Sequence, residues 1–483
     1  MLSDSGNYVR REGAIFAGVD WWTVWIYLAL VLFGIISIYA SIYNEHSHSI
    51  FALSQKSGSQ MMWAGISIVL GVVILLVDSK YYHYIAYQAY AATILLLLLT
   101  FVFGRTINGA HSWISFGPVS VQPVEFAKLT TALALGKYMG GYGFNIARMK
   151  SLSRVGLIVG LPALIVCAQN DTGSAMVFSS FLFMLCREGF TAWVYLVLGM
   201  IMFLSVSSFF VEPAALYVVI FLIVVAIETH YNGMMKQKVI YVASVIMAML
   251  VIFFVGLVFG RFLSMMNAFM LALTATLPLV AVYAVRHKLR NVVVFVIFFI
   301  ASLMFVTSVD YVFDNVLRPH QQHRILDLLG LENDVKGAGY NVNQSKIAIG
   351  SGGVLGKGFL QGTQTKFDFV PEQSTDFIFS TVGEEWGFVG SIAVLALFVA
   401  LIFRVMRMGD RQRDTFGRVY CYGVAGVFFF HVLVNIGMTI GLIPVIGIPL
   451  PFFSYGGSSL VAFSMMLFIA IRLNCNAQYQ NWQ

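Results

Sequence analysis

Residues 377–403 read FIFSTVGEEWGFVGSIAVLALFVALIF, an apolar run broken by only two charged side chains, Glu384 and Glu385. A bilayer core about 30 Å thick is crossed by roughly 20 such residues in a helix. This run is long enough, and its glutamates sit toward one end. Similar runs recur on both sides of it. The 483-residue chain is 59% hydrophobic and only 11% charged, too little charge to cover a water-soluble protein of this size. Helices satisfy their own backbone hydrogen bonds in lipid, so the expected fold class is all-α, a polytopic helical membrane bundle.

Apolar runs at 24–43, 61–77, 83–103, 122–138, 154–168, 172–187, 191–210, 214–228, 239–259, 263–284, 292–310, 377–403, 419–440 and 457–472 predict about fourteen spans. Charge supports that count. With Arg10 and Arg11 placed in the cytoplasm, most of the 29 Lys and Arg fall on the same side, including Arg187, Arg404, Arg418 and Arg472. This is the positive-inside bias, and it predicts cytoplasmic N- and C-termini. The net charge of +7 is then an anchoring signal toward anionic headgroups, with no basic, aromatic-interleaved domain to suggest nucleic acid. Residues 1–20 lack an apolar core, so no cleavable signal peptide is expected. Cys167, Cys186, Cys421 and Cys475 have no metal or redox spacing.

Two long segments fall between spans on the outer side, 104–121 and 311–376. The second is too long for an ordinary connection and is a functional candidate on length alone. Its NQSKIAIGSGGVLGKGF suggests a short amphipathic helix and then a glycine-rich turn. The glycines do not spell GxxxxGK[ST], so they do not predict a nucleotide site.

Polar residues at the outer ends carry the chemistry. Asp376 takes the first position of the 377–403 helix, with Ser374 or Thr375 as N-cap, and reads either as a general base or as part of that cap. Glu385 lies about 13 Å further along the axis and nearly on the opposite face, so it is not a catalytic partner. Glu384 and Glu385 read as structurally paired, because a charge facing lipid is expensive. Glu125 and Lys128, spaced i,i+3 after Pro123, share a helix face. Their pairing is either structural or a means of holding Lys128 toward an anion. Asp171 reads as architectural. Among the outer cations, which include Lys56, the preferred diphosphate contacts are Arg105, Arg324 and Lys346. In NIGMTIGLIPVIGIPLPFFSYGGSSL, residues 435–460, three prolines forbid a regular helix and predict a folded-back segment. Asn435, Ser454 and Tyr455 are candidates to line a polar cavity there.

Four stretches together resemble the SEDS (shape, elongation, division and sporulation) family: NGAHSWISFGPVSVQPVEFAK at 108–128, AQNDTGSA at 168–175, residues 339–390 from GYNVNQSK to EEWGFVG, and NIGMTIGLIPVIGIPLPFFSYGGSS at 435–459. QGTQTKFDFVPE is closer to the elongation branch than to the division branch, and HQQHRI at 320–325 fills the place of an arginine-containing segment. The family has ten spans, about four fewer than the count above. The resemblance therefore implies one transmembrane domain over 1–475, extra helices inserted at 190–310, and a large extracytoplasmic catalytic loop at 311–376. Asn170 stands where the family usually has proline.

The resemblance implies an inverting peptidoglycan glycosyltransferase that polymerises undecaprenyl-diphosphate-linked lipid II at the outer face of the cytoplasmic (inner) membrane. Asp376 matches the family's proposed catalytic aspartate, and Glu125 and Lys128 its functionally important pair. The implied partners are a class B penicillin-binding transpeptidase and elongation-machinery membrane proteins, with no nucleic acid. Mg2+ or Mn2+ is compatible with diphosphate departure, although the sequence offers no secure ligand cluster. The competing readings are a lipid II flippase, which needs polar groups through both leaflets, and a nonenzymatic scaffold for a cell-wall synthase.

Overall fold

The computed structural model describes residues 18–43, 55–107, 109–117, 119–190, 290–315, 338–367 and 369–481, with isolated positions elsewhere. The chain divides into two compact units, Thr191–Gln322 and the remainder. In the smaller unit, the described residues form mainly the helix Arg290–Asn315.

The larger unit opens with α1 (Trp21–Ile42), α2 (Lys56–Leu76) and α3 (Ser79–Phe103). An antiparallel meander follows, β1 (Arg105–Ile107), β2 (Ala110–Phe116) and β3 (Val119–Val121), in spatial order β1-β2-β3. Then come α4 (Pro123–Met139), α5 (Met149–Ala168), α6 (Thr172–Val177) and α7 (Phe181–Arg187). Numbering the helix of the smaller unit α8, the larger unit resumes with α9 (Ala338–Ser351), α10 (Thr363–Lys366), α11 (Ile378–Arg411), α12 (Thr415–Thr439) and α13 (Gly457–Asn481).

The expected count of about fourteen spans is corrected here. Among the described residues seven helices are long and apolar enough to cross a membrane: α1, α2, α3, α5, α11, α12 and the Gly457–Cys475 part of α13. The run at 122–138 forms a 17-residue helix, α4, buried along most of its length and carrying Glu125, Lys128 and Lys137. The run at 172–187 is interrupted by a 3-10 turn at Phe178–Ser180. The run at 292–310 lies in α8, outside the seven, and those between 191 and 284 fall almost wholly outside the described residues. Hydropathy registers length and apolarity, and an interior helix satisfies both as readily as a lipid-facing one. The sheet at 105–121 was likewise not expected.

Helices α12 and α13 form the centre: 78% and 89% of their span windows are buried, against 22% for α3 and α5, which turn most of their surface outward. Their Phe428, Phe463 and Phe468 interlock edge to face with Tyr27 of α1 and with Phe452. At the end of α11 remote from Asp376, Arg404 clasps Asp20, Arg418 pairs with Glu188 and Arg187 with Asp410. These partly exposed pairs fix register and contribute little stability individually.

Helix α11 is broken at Gly387, whose φ of 63° and ψ of −156° are open to glycine alone. The break frees backbone groups, and the glycine-rich turn after α9 takes them up. Lys357 N donates to Glu384 O at 3.0 Å and Gly358 N to Glu385 O at 3.0 Å. In return Phe388 N donates to Gly353 O at 2.9 Å and Val389 N to Val354 O at 3.1 Å. Irregular backbone in a membrane domain persists only where its polar groups are paired. The glycine run thus serves close backbone approach. Gly352 meets the Gly383 carbonyl so closely that a Cβ there has no room. Gly352→Ala is therefore expected to destabilise the detergent-solubilised protein by about 1–3 kcal/mol, seen as a lower midpoint in a thermal-unfolding scan.

Candidate functional site

Asp376 does not sit on the helix. Helix α11 begins at Ile378, with Phe377 at the cap position and no side-chain cap bond, so neither Ser374 nor Thr375 caps it. Asp376 belongs to the preceding turn, closed by Thr375 N and Phe377 N donating to Glu372 O, each at 3.2 Å. Its backbone carbonyl accepts from Asn435 Nδ2 at 2.9 Å. Its half-buried carboxyl is pushed up to about 7, first by burial and then by the negative charges of Glu372 and Asp171. Exposed Gly447 lies beside it: a Cβ there would come within 3.3 Å of Asp376 Oδ2, and its φ of +75° also favours glycine.

The folded-back segment expected at 435–460 is present and tightly tied. Asn435 Nδ2 also donates to Ile448 O at 2.8 Å. Ser454 Oγ accepts from Leu450 N at 2.9 Å, and Ser454 O accepts from Gln60 Nε2 at 3.2 Å. Tyr455 N donates to Ser374 O at 2.9 Å. Asn435 and Ser454 are buried, and Asn435 Nδ2 and Ser454 Oγ are spent on backbone, as struts of the site more than lining, while Tyr455 is half-buried. Lys56, in the first turn of α2, donates to Ser374 Oγ at 2.9 Å and stands 5.9 Å from the Tyr455 ring centroid. The sequence places Lys56 318 residues away from Ser374, so no local spacing signals this contact.

Glu125 and Lys128 do pair, and both are sealed from solvent. Lys128 Nζ lies 2.8 Å from each Glu125 carboxylate oxygen. It also meets His431 Nε2 at 3.0 Å and the Phe463 ring at 5.3 Å. His431 escaped the sequence reading, although an ionisable residue within the apolar run 419–440 was signal enough. With these partners and 0% exposure, Lys128 does not present its charge to a ligand in this structure.

The remaining candidates are dispersed. Arg105 is exposed on β1, Lys346 is exposed on α9 with its side chain over Gly441, and Arg324 lies outside the described residues. Glu384 is structural as expected: it accepts from Lys357 Nζ and from the N–H groups of Thr363, Gln364 and Thr365 at 2.7–2.9 Å. Glu385 Oε1 accepts from Leu360 N at 3.2 Å. Asp171 caps α6 through Ser174 N and accepts from Ser112 and Gln122. Among the described residues no three His, Cys, Asp or Glu side chains converge as a metal-binding group. Among the described residues the donor set does not fit Mg2+ or Mn2+.

Comparison with known proteins matches residues 21–216 and 202–479 to the FtsW/RodA/SpoVE model, described as cell cycle protein. The chain is 34% identical over 456 residues to the peptidoglycan glycosyltransferase RodA of Treponema pallidum (strain Nichols), covering 93% of this chain and 96% of the relative. It is 30% identical over 440 residues to the peptidoglycan glycosyltransferase MrdB of Escherichia coli (strain K12), covering 90% and 88%. Among solved structures, a chain of a peptidoglycan synthase complex that coordinates polymerization and crosslinking superposes with a TM-score of 0.61 at 24% identity, covering 95% of this chain and 98% of that one. The rod shape determining protein RodA of Thermus thermophilus gives 0.52 at 23% identity, covering 94% and 96%. At such identities these structures speak for the fold alone.

The raised carboxyl of Asp376 sets a pH dependence. The folded protein prefers this group protonated, so its contribution to stability is complete below the ordinary value of 3.8 and is lost as pH rises through about 7. Asp376→Asn is expected to melt above wild type at pH 8, with the gap narrowing toward pH 5 in thermal scans across that range.

Proposed function

The chain belongs to the FtsW/RodA/SpoVE family of cell cycle proteins, and from that membership we infer that it is a peptidoglycan glycosyltransferase of the RodA type, polymerising lipid II into β-1,4-linked glycan strands. The observation that carries the mechanism is Asp376, a half-buried carboxyl near 7 beside the exposed backbone of Gly447. A base poised near the working pH is suited to proton abstraction. Ionised Asp376 accepts the proton of the acceptor 4-hydroxyl as that oxygen attacks C1 of the donor MurNAc. The lipid diphosphate departs from the opposite face, and configuration inverts.

The departing diphosphate needs positive charge. Arg105, Arg324 and Lys346 remain proposed for it, and Lys56, bonded to the turn that carries Asp376, joins them. Glu125 and Lys128 act from within, bracing the wall of the site. The basic residues at the far end of α11 support an orientation in which Asp376 faces outward from the inner membrane. Assembly with a class B penicillin-binding transpeptidase and other elongation-machinery membrane proteins is part of the same proposal; the fold shared with a synthase-complex chain supports it.

The test is glycan-strand formation from labelled lipid II by purified protein, with and without the cognate transpeptidase, read by a penicillin-insensitive assay. Wild type is expected to polymerise, at a rate that rises with pH through about 7. Asp376→Asn is expected to lose about 100-fold or more while still binding lipid II. Full activity in that variant sinks the base assignment. Lipid II binding without polymer from wild type in either arm sinks the transferase reading. Lys56→Gln is expected to raise KM more than it lowers kcat.

A further inference from the structure

His431 is fully buried at the middle of α12, and both of its ring nitrogens are engaged. Nδ1 lies 2.9 Å from the Pro449 carbonyl, which can only accept, so Nδ1 carries the hydrogen. The lone pair of Nε2 then faces the Lys128 ammonium at 3.0 Å, and Lys128 is held in turn by Glu125. The ring meets Phe463 edge to face, with centroids 4.9 Å apart.

Asn435 stands four residues on, one turn along the same face of α12. It holds the carbonyls of Ile448 and Asp376. His431 and Asn435 therefore grip consecutive carbonyls, 449 and 448, of the segment that lays Gly447 against the Asp376 carboxylate. Asn435 fixes that segment to Asp376, and His431 fixes it to the buried Glu125–Lys128 pair.

We propose that His431 is a positioning residue for glycosyl transfer, locking the 447–449 backbone, and through it Asp376, to the Glu125–Lys128 pair. The proposal rests on the transferase reading above. His431 touches no reacting atom; it sets where the base sits. Displacement of a catalytic group by about 1 Å costs on the order of 100-fold in rate. Loss of His431 should therefore appear in kcat and spare KM.

Three variants separate the two ring contacts. His431→Phe keeps the ring and loses both polar bonds. His431→Asn keeps a donor near the Nδ1 position for Pro449 O and loses the Lys128 acceptor. His431→Gln reaches the Nε2 position and loses the grip on Pro449. Lipid II polymerisation is measured with the cognate transpeptidase present, alongside thermal unfolding and lipid II binding. His431→Phe is expected to lower kcat by roughly 10- to 100-fold with KM unchanged within about twofold. His431→Asn is expected to recover most of that loss and to exceed His431→Gln. Wild-type kcat in His431→Phe overturns the role, as does a KM effect in place of a kcat effect. Should His431→Phe fail to fold, Asn no better than Gln at equal thermal stability overturns it. Polymer from wild type accompanied by any of these outcomes rejects His431 alone; no polymer from wild type rejects the transferase reading and this role with it.

Discussion

Asn435 donates both hydrogens of one side-chain amide to two carbonyls from segments far apart in the chain, Asp376 and Ile448. Much of the site depends on that double donation. The turn before α11 and the proline-rich segment after α12 each leave helical geometry, and each exposes backbone acceptors in an apolar setting. An unpaired buried acceptor costs about 1–3 kcal/mol, so each departure needs a donor. One residue serves both and thereby sets their separation. His431, Gln60 and Ser454 extend the arrangement to neighbouring peptide groups of the same segment.

Within this frame the acidic groups have opposite environments. Glu125 and Glu384 are each met by a lysine, and Glu384 also by backbone N–H groups. Asp376 has the negative charges of Glu372 and Asp171 for neighbours, and its carboxyl is left near 7. The paired carboxylates hold structure; a half-buried carboxyl among like charges can take up and release a proton.

Much of this was legible in the sequence where the signal is local. The seven long helices coincide with apolar runs, the i,i+3 spacing of Glu125 and Lys128 yields a pair, and the prolines at 444, 449 and 451 mark a segment that leaves helical geometry. Part of the excess in the span count comes from apolar runs that form a short buried helix, α4, and a broken one at 172–187. Asp376 was expected at the first position of α11 with Ser374 or Thr375 as cap; it lies in the turn before an uncapped helix, a turn held by Asn435 from another helix. Lys56 and His431 are brought to the site only by the packing of α2 against the Asp376 turn and of α12 against α4. Their partners lie 318 and 303 residues away, and no periodicity encodes that distance.

Four of the hydrogen bonds that bridge the break at Gly387 join main-chain atoms alone. Val354, Leu355, Phe388 and Val389 pass along it with their side chains turned outward and exposed. The bonds beneath use no side-chain atom of those four residues, whereas a Cβ has no room at Gly352, Gly356 or Gly387. The outward surface of the seam is therefore free to drift with the lipid or protein it meets while the backbone beneath stays fixed. Adaptation to a new membrane and preservation of an old chemistry are, at this point in the molecule, separate problems.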